Sequence, residues 1–182
     1  VIFVIDGSGS MREPLPGAAS RMSGAKRSVG IVTNNLHRDI DVGMVAFSDC
    51  GSTRRSRFYG SSERRAFMGQ VNALSPQRKT SLAASIQRGG RSAPRTGDVM
   101  MVVVSDGDDT CGGDPCAAAR EARALRPNLE INVIDLSGGR SRGVLQCVAN
   151  AGGGRVFTPG SASELNAQLQ RATGHPDASG CS

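Results

Sequence analysis

Two continuous apolar runs, at residues 1–5 and 99–104, are the clearest features of the hydrophobic pattern. Apolar runs without alternation are typical of strands that are covered on both faces of a sheet. Shorter apolar segments predict further strands at 41–47, 131–136 and 155–157. A more polar segment at 54–59 predicts a strand at the edge of the sheet.

Between these strands, apolar residues recur at steps of three and four, which is the spacing of one helix face. The predicted helices cover 18–36, 62–75, a segment that begins at Thr80 or Ser81, 117–125, 144–150 and 163–172. Helices that alternate with strands predict an α/β fold with a doubly wound, mostly parallel central sheet of about six strands. Helices are expected on both faces of the sheet, and one short edge strand is expected to be antiparallel.

Length and composition indicate one folded domain followed by a short tail. The chain has 182 residues, and its composition shifts to Gly, Pro, Asp and Ser after residue 172. We therefore expect a domain at 1–172 and a tail at 173–182. No apolar run approaches the ~18–20 residues that a membrane span needs, so no part of the domain is expected to insert into a membrane.

The net charge is +6, and a basic stretch carries part of it. That stretch contains Arg54, Arg55, Arg57, Arg64 and Arg65, which raises a nucleic-acid hypothesis. The chain has no Trp and one Tyr, so aromatic platforms for bases are scarce. We favour an edge strand kept soluble by charge, and predict no nucleic-acid partner.

The five cysteines fit no zinc-binding spacing. Cys111 and Cys116 flank Gly-Gly and Asp-Pro, which can bend the chain back, so these two residues are candidates for a small disulfide loop. Disulfides would place the protein outside the cytoplasm: secreted, periplasmic or at the cell surface. The alternative is five reduced thiols in a cytoplasmic protein. The chain begins on an apolar strand, which decides nothing about export.

The candidate chemistry lies in the loops that follow the two apolar runs. The first loop offers Asp6, Ser8 and Ser10, and the second offers Asp106 in a Ser-Asp-Gly turn. In a doubly wound sheet, ligands bind beyond the carboxyl ends of the strands where the strand order reverses. Two carboxylates brought together there favour a cation between them. Carboxylate and hydroxyl oxygens suit a hard divalent cation such as Mg²⁺, Mn²⁺ or Ca²⁺.

The acidic turn that follows Asp106 does not match a second metal site. An EF-hand loop beginning at Asp106 would need Gly and Glu where Cys111 and Ala117 stand. Three further acids, Asp108, Asp109 and Asp114, are therefore interpreted as a solvated turn.

These residues resemble the von Willebrand factor type A domains. The resemblance covers nearly the whole domain, and the segment 106–116 resembles bacterial members described as calcium-activated-chloride-channel homologues. It implies a Rossmann-like sheet that carries a metal-ion-dependent adhesion site. The residues that match this site are Asp6, Ser8, Ser10, Thr80 and Asp106.

The resemblance also implies a role for each matching residue. Ser8 and Ser10 would contact the metal directly, and Thr80 would do so when a partner is bound. Asp6 and Asp106 would act mostly through bound waters. A carboxylate of a protein partner would complete the coordination, and this binding needs no catalysis.

The sequence before Thr80 departs from the family pattern, which usually has glycine there. This chain has Gln77, Arg78 and Lys79 instead. The ammonium of Lys79 would repel a cation if it pointed inward, so Ser81 is a second candidate for the ligand.

The leading hypothesis is a non-enzymatic, monomeric adhesion-type domain that captures an acidic residue of a protein partner. An alternative is an intracellular adaptor of an ATP-driven chelatase or remodelling complex with the same metal site. A remote alternative is a metal-dependent phosphohydrolase, because Asp6 ends a buried strand. Such a nucleophile normally has a second acid two residues on, where this chain has Ser8, and no phosphate-binding loop is present.

Overall fold

The computed structural model describes residues 1–76, 79, 81–107 and 109–174. In this part of the chain, six strands form one sheet in the order β3-β2-β1-β4-β5-β6. Neighbouring strands are parallel, except for the antiparallel pair β2–β3 at one edge. The strands are β1 (Ile2–Asp6), β2 (Gly43–Asp49), β3 (Ser52–Arg55), β4 (Val99–Ser105), β5 (Leu129–Asp135) and β6 (Gly153–Phe157). The predicted mostly parallel sheet with an antiparallel edge is confirmed.

Helices cover both faces of this sheet. They are α1 (Arg21–Asn35), α2 (Arg64–Asn72), α3 (Leu82–Ser92), α4 (Pro115–Leu125), α5 (Arg142–Ala151) and α6 (Ala162–Ala172), with short 3-10 turns at Gly9–Arg12 and Ser61–Glu63. Helices α1, α2 and α6 pack on one face, and α3, α4 and α5 on the other. None of the helices in the described ranges combines the length and the apolar character that a membrane crossing requires.

Strand β1 lies at the centre and supplies both cores. Phe3 and Ile5 point into the layer with α1, α2 and α6, whereas Ile2 and Val4 point into the layer with α3, α4 and α5. All four side chains are buried. A strand with both faces covered has no solvent-facing side, which explains the unbroken apolar run at the start of the chain.

Strand β3 begins and ends earlier than the predicted 54–59. It starts just after a tight turn in which Gly51 has a φ of 88°, a conformation that favours glycine. Beyond Arg55, the hydroxyl of Ser56 accepts the hydrogen bond from the Met44 amide, so the regular backbone ladder stops. Tyr59 then forms an isolated bridge to Val42, the residue before β2.

Helix α1 also starts later than predicted, because Ser20 caps it. The Ser20 hydroxyl accepts from the Ser23 amide, and the Ser23 hydroxyl accepts from the Ser20 amide. This reciprocal pair satisfies two backbone donors at the first turn and fixes the start of the helix at Arg21.

The predicted pairing of Cys111 with Cys116 is wrong. Cys111 forms a disulfide with Cys50, and Cys116 forms one with Cys147. Cys116 is the second residue of α4, and its bond leads to α5 on the same face of the sheet. Cys111 lies in the preceding loop and reaches the β2–β3 turn instead. The fifth cysteine, Cys181, lies outside the described residues.

Candidate metal centre

The loops that follow β1 and β4 open into the same crevice. From β1 the chain proceeds to β2 and β3 on one side of the sheet, then crosses to β4 on the other side of β1. The order reverses between these two strands, and the register pairs Ile5 with Val104. Asp6 and Ser105 therefore end neighbouring strands side by side, at the place where doubly wound sheets bind ligands.

Asp6 joins the two loops. Its carboxylate is buried, and Oδ1 accepts a hydrogen bond from the Ser8 amide at 2.7 Å. Oδ2 accepts from the Ser105 hydroxyl at 2.9 Å and from the Asp106 amide at 3.3 Å. The loops that follow β1 and β4 are thereby both hydrogen-bonded to the Asp6 side chain. These bonds set the positions of Ser8 and Asp106.

The hydroxyls of Ser8 and Ser10 converge with the carboxylate of Asp106. Asp106 Oδ1 lies 2.7 Å from Ser10 Oγ and 3.3 Å from Ser8 Oγ, and the two hydroxyl oxygens are 3.0 Å apart. The structure thus brings together four of the five residues that the sequence singled out. We call Asp6, Ser8, Ser10 and Asp106 the oxygen cluster.

The donor chemistry of the oxygen cluster fits a hard divalent cation. The Asp106 carboxylate and the two serine hydroxyls lie within hydrogen-bonding distance of one another, and the Asp6 carboxylate accepts from the Asp106 amide beside them. Across the described ranges, no group of three or more His, Cys, Asp and Glu residues is arranged to hold a metal ion. The oxygen cluster would instead bind a cation with two hydroxyls and only two carboxylates, which leaves coordination positions for water or a partner.

Thr80, the fifth predicted ligand, lies outside the described residues, as do Gln77 and Arg78. Lys79 is exposed. Ser81, the second candidate, is buried, and its hydroxyl has no hydrogen-bond partner among the residues that the structure describes. A buried hydroxyl without a partner is costly, so Ser81 Oγ keeps its capacity to bind an additional oxygen or cation.

The carboxylate of Asp6 is buried beside the negative charge of Asp106. Burial and, secondly, the negative charge of Asp106 raise the pKa of Asp6 to about 6, and the hydrogen bonds from Ser8 and Ser105 only partly oppose this. A cation bound between the carboxylates would remove the repulsion.

Arg21 contacts the oxygen cluster, although the sequence analysis did not single it out. It is the first residue of α1 and is only 9% exposed. Its Nη1 lies 3.0 Å from Asp106 Oδ2, 3.0 Å from Glu13 Oε2 and 3.3 Å from the Ser10 carbonyl. One signal was present: the first turn of a helix disfavours a cation, so an arginine there needs an acidic partner.

Asp109 is not part of a solvated turn, as the sequence interpretation had it. Its Oδ2 accepts from the Ala83 amide at 2.9 Å, and its Oδ1 accepts from the Cys111 amide at 2.7 Å and the Gly113 amide at 3.3 Å. It therefore ties the loop after β4 to the first turn of α3. Asp114 is exposed but caps α4 through the Ala117 amide, and Asp108 lies outside the described residues.

Several solved structures have a similar fold. BatB from Bacteroides thetaiotaomicron has a TM-score of 0.78 and 18% identity, over 94% of this chain and 95% of that chain. The mussel byssus protein PTMP1, with a zinc-occupied MIDAS motif, has a TM-score of 0.73 and 16% identity, over 94% of this chain and 44% of that chain. At these identities the likeness establishes the fold.

Sequence relatives come from Bacillus subtilis (strain 168). YwmC is 28% identical over 174 residues, which is 86% of this chain and 75% of YwmC. YwmD is 27% identical over 184 residues, covering 91% of this chain and 80% of YwmD. The family model described as von Willebrand factor type A domain matches residues 1–108, which include β1 to β4 and the oxygen cluster. The chain therefore belongs to the von Willebrand factor type A domain family.

Proposed function

We propose that this domain is a non-enzymatic, adhesion-type interaction module that binds a divalent cation at a metal-ion-dependent adhesion site. The observation that carries the proposal is the convergence of Ser8 Oγ, Ser10 Oγ and Asp106 Oδ1 within 3.3 Å of one another. These oxygens lie at the crevice where the strand order reverses.

Each residue of the oxygen cluster has a distinct role in this proposal. Ser8 and Ser10 supply hydroxyl ligands, with Thr80 as a further ligand. Asp6 and Asp106 act mostly through bound waters, and Asp6 also holds the two loops together. The bound ion supplies a Lewis-acidic position that a carboxylate of a protein partner can occupy.

The oxygen donors favour Mg²⁺, Mn²⁺ or Ca²⁺, which are hard ions. The zinc in the MIDAS motif of PTMP1 belongs to that protein. For this chain, the absence of His and Cys from the oxygen cluster argues for a hard ion, because zinc prefers nitrogen and sulfur ligands.

Catalysis is the less supported alternative. The acid that a phosphohydrolase needs two residues after its nucleophile is replaced by Ser8, whose hydroxyl belongs to the oxygen cluster. His37 lies at the surface beside Asp39, away from the two loops. In the basic stretch, Arg57 pairs with Glu63 and Arg64 donates to the Leu36 carbonyl, so these two side chains have partners within the domain.

An extracytoplasmic location is favoured by the two disulfides, since such bonds persist in oxidising compartments. The intracellular adaptor keeps the same metal site but requires reduced thiols, so a thiol count under denaturing, non-reducing conditions separates the two. The domain boundary at residue 172, the monomeric state and the likeness of 106–116 to chloride-channel homologues stay predictions.

Isothermal titration calorimetry with Mg²⁺ and Mn²⁺ tests the metal site. We expect one bound ion per chain, and loss of binding in Ser8→Ala because a direct ligand is removed. Ser163→Ala, which removes an exposed hydroxyl on α6, is the matched control and keeps binding. A wild-type protein that binds neither ion would contradict the proposal.

The acidic partner is tested with a defined probe. The ¹⁵N-labelled, Mg²⁺-loaded domain is titrated with the tripeptide Gly-Glu-Gly, and with Gly-Gln-Gly as control. We expect amide shifts at Gly7 and Gly107 with the glutamate peptide only, and their loss after addition of EDTA. Equal shifts with both peptides, or shifts that survive EDTA, would argue against carboxylate capture.

A further inference from the structure

We infer that Arg21 is a built-in counter-cation of the metal centre. Its positive charge weakens binding of the divalent ion and strengthens binding of a partner carboxylate. The inference rests on the proposed function and extends it to a residue outside the oxygen cluster. Arg21 acts as a positioning and charge-setting residue, since it touches Asp106 and not the partner.

The contacts of Asp106 divide its carboxylate into two sides. Oδ1 faces the hydroxyls of Ser8 and Ser10, whereas Oδ2 receives Nη1 of Arg21 at 3.0 Å. The Asp106 side chain is 0% exposed and that of Arg21 is 11% exposed. The ion pair is therefore shielded from water, and its charges act strongly on their surroundings.

Helix capping does not explain this arginine. The helix is already capped by the reciprocal Ser20–Ser23 hydrogen bonds, which satisfy two backbone donors. A cation at this end opposes the helix dipole, which makes the position unfavourable for an arginine whose only role is in the helix. The ion pair with Asp106 offsets that cost and gives the residue a role at the metal centre.

The charges of the centre show what Arg21 changes. Two carboxylates, Asp6 and Asp106, would neutralise one divalent ion, and the guanidinium adds one further positive charge. Glu13 also pairs with Arg21, but its side chain is 50% exposed and lies 3.7 Å from Arg140, so solvent and a second cation share its charge. The remaining positive charge favours an incoming carboxylate.

The test measures Mn²⁺ binding by electron paramagnetic resonance, which counts the free ion directly, in wild type and three variants. Arg21→Gln removes the charge and keeps a hydrogen-bond donor, and Arg21→Lys keeps the charge. Arg27→Gln changes net charge equally at an exposed position of the same helix. Arg21→Met, which keeps a long buried stem, replaces the Gln variant if that variant does not fold.

We expect Arg21→Gln to bind Mn²⁺ at least about tenfold more tightly than wild type. Arg21→Lys should stay within about twofold because it keeps the charge, and Arg27→Gln because an exposed charge is screened by solvent. In the Mn²⁺-loaded Gln variant, Gly-Glu-Gly should bind several-fold more weakly. A disturbed fold would lower metal affinity, so tighter binding cannot arise from damage.

Two results would overturn the inference. One is Mn²⁺ affinity in the neutral variant that is equal to or weaker than that of wild type, and the other is undiminished binding of Gly-Glu-Gly. In both cases, Mn²⁺ binding by the wild-type protein still supports the proposed function. A wild type that binds no Mn²⁺ would instead remove the proposed function itself.

Discussion

Asp6 connects the stability of this domain to pH. Burial and the charge of Asp106 raise its pKa from 3.8 to about 6, so the folded protein keeps a proton that the unfolded chain has released. Between pH 3.8 and about 6, the native state binds more protons than the unfolded chain, so the free energy of unfolding falls as pH rises. A pKa that rises from 3.8 to about 6 corresponds to a loss of roughly 3 kcal/mol in the free energy of unfolding of the metal-free protein.

Replacing Asp6 with Asn should therefore remove one pH-dependent contribution. In EDTA, we expect wild type to lose up to about 3 kcal/mol relative to Asp6→Asn between pH 4 and pH 6, measured by urea unfolding. The variant should also show no stabilisation by Mg²⁺ at pH 7. A difference between the two proteins that stays constant with pH would contradict the origin assigned to this shift.

Asp109 is expected to contribute through hydrogen bonds to three backbone amides, those of Ala83, Cys111 and Gly113. Asp109→Ala leaves these donors without their acceptor and should lower the free energy of unfolding by about 1–3 kcal/mol. Asp98→Ala removes an exposed acid and serves as control. Equal stability of the two variants in urea would show that Asp109 is dispensable.

The residues of the oxygen cluster were predictable because they directly follow β1 and β4, two buried strands whose apolar runs are visible in the sequence. Arg21 and Asp109 were not, since each acts on a segment that is distant in sequence: Arg21 on Asp106, and Asp109 on the start of α3. Local spacing carries no information about such partners. The one local sign was the positive charge of Arg21 at the N-terminal end of α1, where the helix dipole disfavours a cation.

At the scale of elements, α3 and α4 approach closely at a glycine. A Cβ built on Gly90 would lie 2.7 Å from the Cβ of Ala122 and 3.1 Å from its Cα. Backbone this near cannot move aside cheaply, so the contact requires glycine at a position where helix propensity favours alanine.

Gly90→Ala should therefore destabilise the domain by about 1–3 kcal/mol despite the better helix former. A Cβ added to Gly69, in α2, would meet no neighbouring atom within 4 Å, so Gly69→Ala should stabilise by about 0.5–1 kcal/mol. Thermal unfolding of both variants gives the two signs. A stabilising Gly90→Ala would show that the helices can separate.

The strand and helix pattern was largely readable from the sequence, because buried strands and amphipathic helices have distinct periods. The boundaries differ where a side chain replaces a backbone partner: Ser56 ends β3 early, and Ser20 starts α1 late. The pattern of apolar residues does not report such bonds, which depend on single hydroxyls.

At the scale of the whole molecule, the two disulfides connect different parts of the structure. Cys50–Cys111 joins the β2–β3 turn to the loop that follows Asp106, across 61 residues. Cys116–Cys147 joins α4 to α5 across 31 residues. The sequence could not give this pairing, because five cysteines allow many connections and only the tertiary structure selects among them.

Removing each bond with paired Cys→Ser substitutions should destabilise the protein by up to about 4 kcal/mol. The expected losses are similar because each disulfide lowers the conformational entropy of the unfolded chain by a similar amount. Only Cys50→Ser/Cys111→Ser should also weaken Mn²⁺ binding, by several-fold, because its loop carries Asp106. Calorimetry on the two double variants, in conditions where both remain folded, compares them. Equal metal affinity in both would separate this disulfide from the metal centre.

The position of the bound ion tests the central claim most directly. Anomalous scattering from a crystal soaked in Mn²⁺ should show one peak about 2.1–2.3 Å from both Ser8 Oγ and Ser10 Oγ, on the Oδ1 side of Asp106. Saturating Mn²⁺ with no peak at these hydroxyls, or with peaks only elsewhere on the surface, would contradict a metal-ion-dependent adhesion site in this domain.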